Sequence, residues 1–345
     1  MKKLKINMYA GGLNIEGQGV GANFFEQVDL VKKIDSLEVT INGRNPKKYD
    51  INHFHTVNPN FFFKFKNKKI NVCYVHFIPD PNDGSLKMPK WMFKIYSWYV
   101  LKFYKKADEI IVVNPYYIPD LLKIGLKKEN VTYIPNYVSD KKFFPISDKE
   151  KIDAIKDEFK VPKDKFIVLG VGQTQTRKGI LDFVEVAKKN PNIQFVWAGG
   201  FSFGKLTSGY EKIKEIMDNP PQNIKFLGIV PRKRMNEIFN MCDMLFLPSY
   251  QELFPITLLE SFNVEKPFLV RDLDLYKDIF LSPYLVGHDN EEFSSLINKI
   301  KDNEDFKEEV RKYSQELKHF YSEEHVKKIW EEYYFRIYNK YPNKH

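Results

Sequence analysis

The sequence predicts an α/β protein made of two successive units, each with a parallel sheet, facing one another across a cleft and followed by helices. Three observations lead there. Short apolar runs alternate with helical patterns along nearly the whole chain, which is the signature of βαβ units. The alternation pauses in a charged stretch from Ser139 to Lys165, which holds Pro145 and Pro162, and then restarts. The 345 residues, at roughly 100–200 per domain, make about two domains.

In the first unit the runs Lys5–Tyr9, Glu38–Ile41, Ile51–Phe54, Ile70–Val75, Glu109–Val113 and Val131–Ile134 read as strands. Each is a short apolar run between helical patterns, as in the parallel sheets of βαβ units. The charged stretch places the junction near residue 160 and is expected to be largely without structure. Strands resume at Phe166–Gly170, Ile193–Ala198, Ile224–Leu227, Met244–Leu247 and Pro267–Val270. From Asn290 the period is helical and ends in a Tyr-rich segment, Trp330–Tyr341. The expected units are therefore 1–160 and 161–325, both doubly wound and Rossmann-like. A last helix, 326–345, is expected to pack back toward the first.

Composition narrows the function. Hydrophobic residues at 43% and charged residues at 29% describe a globular chain. Lys plus Arg number 54 against 45 Asp plus Glu, a net charge of +9, and the excess is local. Between Phe61 and Lys106 ten lysines face only Asp80 and Asp83. Only seven of the basic residues are Arg, and none lies between Arg44 and Arg177. Base readout and bidentate phosphate clamps favour Arg, so a sequence-specific nucleic-acid partner is not expected. Cys73 and Cys242 have no CxxC partner and read as reduced core residues. Met1 leads into a strand with no apolar signal segment, and no stretch approaches ~20 uncharged apolar residues.

Ligands of such sheets bind beyond the carboxyl ends of the strands, so the chemistry is sought in those loops. Gly11-Gly12-Leu13-Asn14-Ile15-Glu16-Gly17-Gln18-Gly19-Val20-Gly21 follows the first strand and precedes a helix. Glycines let backbone N–H groups approach an anion at a helix N-terminus, although a turn needing positive φ also explains them. His53, His55 and His76 sit at strand ends. His53 and His55 are expected on opposite faces, one of them structural, and His76 is the better functional candidate. In the second unit, Arg177 and Lys178 form a strand-to-helix turn able to neutralise a diphosphate leaving group. The strand-end loop Phe226-Leu227-Gly228-Ile229-Val230-Pro231-Arg232 could hold a base through its main chain. Glu252 precedes a helix beginning near Pro255, and Glu260 lies inside it. A capping carboxylate and a surface helix residue are the plainer readings of these two.

Glu252 and Glu260 have the E-x7-E spacing of retaining GT-B glycosyltransferases of family 4. The glycine loop, His76, the Arg-Lys turn, the FLG loop and E-x7-E also occur in that family's order. Within the family the chain resembles bacterial glycosyl-diacylglycerol glycosyltransferases at Asn7-Met8-Tyr9, Glu16–Gly21, Tyr74–Phe77 and Leu86–Lys90. Those enzymes add a second hexose to monoglucosyl-diacylglycerol.

The resemblance implies His76, Glu252 and Lys178 as catalytic residues. It implies Gly17, Gly19, Gly21, Arg177, Gly228, Phe254, Ile256 and Glu260 as contacts to the donor, with Glu260 on its ribose. It further implies transfer from UDP-hexose with retention, the UDP phosphate taking the acceptor proton, and no required metal or other cofactor. The acceptor would be a glycolipid, with a soluble or polyprenyl-linked saccharide as the alternative. Gln173 stands where the family often has Arg, and Pro255 where it has Gly. Asp272-Leu273-Asp274 reads as a solvated turn.

A helical wheel from Pro89 to Lys106, at ~100° per residue, puts Met92, Phe93, Tyr96, Val100, Phe103 and Tyr104 on one apolar face. Lys90, Lys94, Lys102, Lys105 and Lys106 gather opposite, with Trp91 and Trp98 among them. A core helix explains the apolar face; tryptophans among lysines suit the headgroup boundary of an anionic membrane. The expectation is a cytoplasmic protein, peripheral on the inner face of the cell membrane.

Overall fold

The computed structural model describes residues 3–12, 19–76, 78–79, 89–201, 204, 207–281 and 283–344. Two six-stranded sheets, both wholly parallel, form two lobes of GT-B architecture. The first contains β1 (Leu4–Tyr9), β2 (Leu37–Ile41), β3 (Ile51–Phe54), β4 (Ile70–Val75), β5 (Glu109–Val112) and β6 (Val131–Tyr133), in the order β2-β1-β3-β4-β5-β6. The second contains β7 (Ile167–Val171), β8 (Gln194–Ala198), β9 (Ile224–Gly228), β10 (Met244–Leu247), β11 (Phe268–Arg271) and β12 (Leu285–Gly287), in the order β12-β11-β10-β7-β8-β9. Every residue of β4 and of β8 is buried, which is why these segments are apolar apart from Asn71 and Gln194 and do not alternate.

Helices cover both sheets. In the first lobe they are α1 (Gly19–Val31), α2 (Pro59–Phe62), α3 (Lys90–Tyr104) and α4 (Ile118–Lys123). They continue with α5 (Lys149–Glu158), α6 (Ile180–Lys189), α7 (Tyr210–Asp218), α8 (Met235–Met241), α9 (Ile256–Asn263), α10 (Asn290–Asp302), α11 (Glu304–Phe320) and α12 (Glu323–Lys340). The stretch expected to lack structure contains α5. Asp148 caps it by accepting from Lys151 N at 3.1 Å, and Ile155 is its one buried side chain. With so little apolar surface its period is hard to see. It lies before residue 160 yet packs on α8 of the second lobe, where Arg234 reaches Glu158 at 2.8 Å.

The chain end crosses back to the first lobe. α12 packs on α1, Tyr334 reaches His53, and Lys340 and Tyr341 both reach the buried Glu109 at the start of β5. One hydrophobic cluster runs through both lobes, from Ile6 and Phe24 to Leu245, Leu258, Trp330 and Tyr334.

The strand orders locate the crevices. Order reverses between β1 and β3 in one sheet and between β7 and β10 in the other. Ligands of doubly wound sheets bind beyond the carboxyl ends at such points. In the second lobe those ends lead into the loops carrying Lys178 and Glu252.

Candidate active site

The turn after β7 has a shape that glycine dictates. Gly172 and Gly199 have φ of +152° and +145°, and a Cβ on Gly199 would lie 1.8 Å from the Gly172 carbonyl oxygen. No side chain fits there, so the ends of β7 and β8 close on one another. At the far end of the turn, Gly179 has φ +69° and a Cβ would lie 2.1 Å from the Pro248 carbonyl oxygen. That contact presses the turn against the loop after β10.

Between these two approaches Lys178 meets Glu252, with Nζ 2.5 Å from Oε1. Their side chains are 16% and 7% exposed, so this is a shielded pair and not a solvated one. Burial alone would push the Glu252 carboxyl up. The charges of Lys178 and Arg177, with hydrogen bonds from Lys178 and Ser249, outweigh it and hold the group below its ordinary value. Arg177 donates to the Gln251 carbonyl at 3.2 Å and to Gln175 at 3.1 Å. Gln175 in turn donates to Gln173 at 2.7 Å. The position where a family Arg was expected thus feeds, through two amides, into the guanidinium of Arg177.

The first lobe grips this loop by its backbone. Tyr117 donates to the Glu252 carbonyl at 2.6 Å, Asn114 to that of Leu253 at 3.0 Å and Asn136 to that of Phe254 at 3.4 Å. None of the three was singled out in the sequence. Asn114 offered a signal, since it is a polar residue closing an apolar strand directly before a proline.

Glu260 lies in α9, 2% exposed, and pairs with Arg232. The same guanidinium is 3.5 Å from Glu26 of α1, which also takes Lys142 at 3.2 Å and the Ser139 N–H at 3.2 Å. Burial alone would lower the pKa of Arg232, but Glu260 and Glu26 raise it above its ordinary value. Glu26 was not singled out in the sequence, and Arg232 only as the end of a loop whose main chain could hold a base. Pro255 is the N-cap of α9 and not its first residue, and no side chain caps the helix there. The side chain of Phe254 turns into the core against Tyr321, at 5.4 Å between ring centroids, so it offers a ligand only its main chain. Ile256 opens α9 and is partly buried against the same core. Gly228 has φ +67°, with nothing within 4 Å of a Cβ placed there.

In the first lobe Gly19 and Gly21 begin α1, and Gly17 lies outside the described residues. His76 follows β4, next to the strand whose end carries Asn114 and Tyr117. Its Nε2 is buried without a hydrogen-bond partner among the described residues. The expectation that His53 and His55 face opposite ways is wrong. Residues two apart along an extended segment share a face, and the two rings lie 4.3 Å apart. His76 continues the row 6.0 Å from His55, and the Tyr334 hydroxyl hydrogen-bonds His53 Nδ1 at 2.8 Å. Burial pushes His53 and His76 down to about 3 and His55 well below its ordinary value, so all three are neutral. Among the described residues no group of three or more His, Cys, Asp or Glu could hold a metal ion. Cys73 and Cys242 are both buried and free.

Comparison with known proteins places this geometry. Residues 151–317 match the description Glycosyl transferases group 1, and residues 30–142 match Glycosyltransferase Family 4. Alpha-galactosylglucosyldiacylglycerol synthase of Streptococcus pneumoniae is 41% identical over 340 residues, spanning 96% of this chain and 90% of that one. The chain belongs to the family 4 glycosyltransferases. Processive diacylglycerol alpha-glucosyltransferase of Acholeplasma laidlawii is 28% identical to this transferase over 288 residues, spanning 83% of it and 84% of the relative. In the fold, a crystal structure of Anabaena HepE in complex with UDP-glucose aligns with the transferase at a TM-score of 0.75 and 13% identity. The alignment covers 96% of the transferase and all of that chain.

Proposed function

We propose that this transferase moves a hexose, glucose or galactose, from UDP-hexose to a glycosyl-diacylglycerol with retention at the anomeric carbon. The observation that carries the reading is the shielded Lys178–Glu252 contact. It holds a cation suited to a departing diphosphate beside a carboxylate suited to sugar hydroxyls. Lys178 and Arg177 would stabilise the negative charge that grows on UDP, Glu252 would orient the donor hexose, and Glu260 would accept hydrogen bonds from the ribose. His76 would line the reacting centre, and the UDP phosphate would take the acceptor proton. The acceptor class follows the two diacylglycerol-acting relatives.

The acceptor requires a membrane surface, and α3 supplies a fitting one. Val100, Phe103 and Tyr104 are buried beneath it. Its first turns are not buried: Trp91 is 65% exposed, Trp98 61% and Ile95 59%. Met92 and Tyr96, expected on the core face, are exposed as well. Lys102 lies over the Trp98 ring at 4.8 Å, Lys94 and Lys105 are exposed, and the side chain of Lys90 is not described. Phe63, in the neighbouring basic segment, is 77% exposed. Apolar anchors among lysines fit an anionic leaflet. No helix among the described residues is long and apolar enough to cross a membrane.

The decisive assay supplies labelled UDP-glucose or UDP-galactose, with and without monoglucosyl-diacylglycerol, and then extracts lipid. Label in a diglycosyl lipid only when acceptor is present is the expected result; label on a soluble saccharide alone would overturn the reading. Activity is expected to survive EDTA, because Arg177, Lys178 and the uncapped N-terminus of α9 meet the diphosphate. Loss on chelation with recovery by Mg²⁺ or Mn²⁺ would refute that.

A further inference from the structure

A cavity of about 410 Å³ opens where the end of β5 meets the loops after β10 and β11. That volume lies within the usual ~300–1,000 Å³ of small-ligand sites. Tyr116 and Tyr117 form its first-lobe side, and Tyr250, Gln251, Asp272 and Asp274 its second-lobe side. The wall exists only because the lobes meet. The cations close to it are held by its own walls. Lys277 pairs with Asp274 at 2.6 Å, while Arg271 stacks on Tyr250 at 4.0 Å and reaches Asp182 at 3.5 Å.

This lining is the opposite of the diphosphate turn. Two carboxylates accept hydrogen bonds, one amide both donates and accepts, and tyrosine rings offer apolar faces with a polar tip. A neutral pyranose fits, with its C–H face on a ring and its hydroxyls donating to carboxylates.

Place adds to chemistry. Gln251 is the residue before Glu252, and the Tyr117 hydroxyl bonds the Glu252 carbonyl at 2.6 Å, so the cavity adjoins the loop that would hold the donor hexose. Next to its wall, Tyr276 is fully buried with a hydroxyl that has no hydrogen-bond partner among the described residues. The first-lobe wall also leads into α4, whose Ile118 and Leu121 share one hydrophobic cluster with Val100, Phe103 and Tyr104 of α3. The cavity therefore sits at the edge of the layer that carries the exposed tryptophans.

We propose that this cavity is the subsite for the sugar of the acceptor, a neutral saccharide carried on a lipid. The inference rests on the glycolipid reading above, and its test separates the two. Tyr116→Ala and Asp274→Asn change exposed side chains. With monoglucosyl-diacylglycerol as acceptor, each raises the apparent acceptor KM about tenfold, the scale of one lost charge-assisted hydrogen bond or ring face. The KM for UDP-hexose moves less than twofold. In parallel, saturation-transfer NMR with methyl α-glucoside shows signal on the wild-type protein that falls severalfold in both variants. Diglycosyl lipid made with an unchanged acceptor KM in both variants overturns the subsite and leaves the glycolipid reading standing. Saturation transfer lost in both variants, with no lipid product from the wild type, keeps a saccharide subsite and overturns the glycolipid reading. Equal saturation transfer in all three proteins overturns the subsite.

Discussion

Lys178 and Glu252 are worth most as a pair, because each shields the other from an uncompensated charge. Removing one partner of a buried pair costs on the order of 3–5 kcal/mol, so variants belong at temperatures where melts show them folded. Under that condition Lys178→Ala and Glu252→Gln should lower kcat by about 10²–10³, the range for losing one group aimed at developing charge. Glu260→Ala should instead raise the KM for UDP-hexose with a smaller change in kcat, since a ribose contact persists from ground to transition state. Near-normal turnover of Lys178→Ala would remove the diphosphate assignment. The histidine row predicts acid sensitivity. His53 and His76 bind protons at about 3 in the folded chain, against 6.5 ordinarily, so the unfolded chain takes them up first. Their contribution to stability is complete above pH 6.5 and is lost as pH falls from there toward 3. The slope is roughly 1.4 kcal/mol per unit for each histidine. Thermal melts at pH 7.5 and 5.5 should show this fall, and His53→Gln should flatten it; an unchanged slope would contradict the burial argument.

At the scale of elements, α3 divides along its length. Its last turns are core, with Val100, Phe103 and Tyr104 under 3% exposed, and its first turns project three large apolar side chains, Trp91, Ile95 and Trp98. A helix serving the core alone would not expose its largest rings at both Trp91 and Trp98. Each lysine near an anionic surface contributes on the order of 1 kcal/mol, eroded by salt over a Debye length of ~8–10 Å. Replacing Lys90, Lys94, Lys102 and Lys105 by Ser should therefore release the protein from anionic vesicles in a flotation assay. Trp98→Ala should weaken the binding that remains at high salt. A quadruple variant that floats as the wild type does would leave α3 as an ordinary helix with exposed rings.

The whole molecule works through contacts between its lobes. Asn114 is fully buried, and its amide serves two second-lobe carbonyls, Leu253 at 3.0 Å and Leu275 at 3.1 Å. Asn114→Ala strands both, at about 1–3 kcal/mol for each buried unsatisfied group. It also frees the segment that carries Glu252. The expected result is a lower melting temperature together with a kcat reduced about tenfold or more, the loop having lost its first-lobe anchor. A variant that melts earlier yet turns over normally would show that the anchor is structural only. The Glu26–Arg232–Glu260 bridge acts across the same seam, joining α1 to α9 through one guanidinium.

Local pattern was enough for the strands, because a segment buried on both faces is mostly apolar, as Met244–Leu247 is throughout and Ile70–Val75 is apart from Asn71. The E-x7-E spacing and the Arg-Lys turn were legible for a similar reason, since each lies within one loop–helix unit. Leu285–Gly287 was not, being three residues long, nor was α5, which buries only Ile155. The partners could be read from the folded chain alone: Arg232 for Glu260 and Glu26, Asn114 for Leu253, Tyr117 for Glu252, and Tyr334 for His53. These pairs stand 28 to 281 residues apart. Strand order and the approach of two lobes bring them together, and no period of 2.0 or 3.6 along the chain encodes either. The order of residues along the chain fixes which groups can do chemistry. Folding determined which of them are shielded from water and paired, and pairing in a shielded place sets their charge.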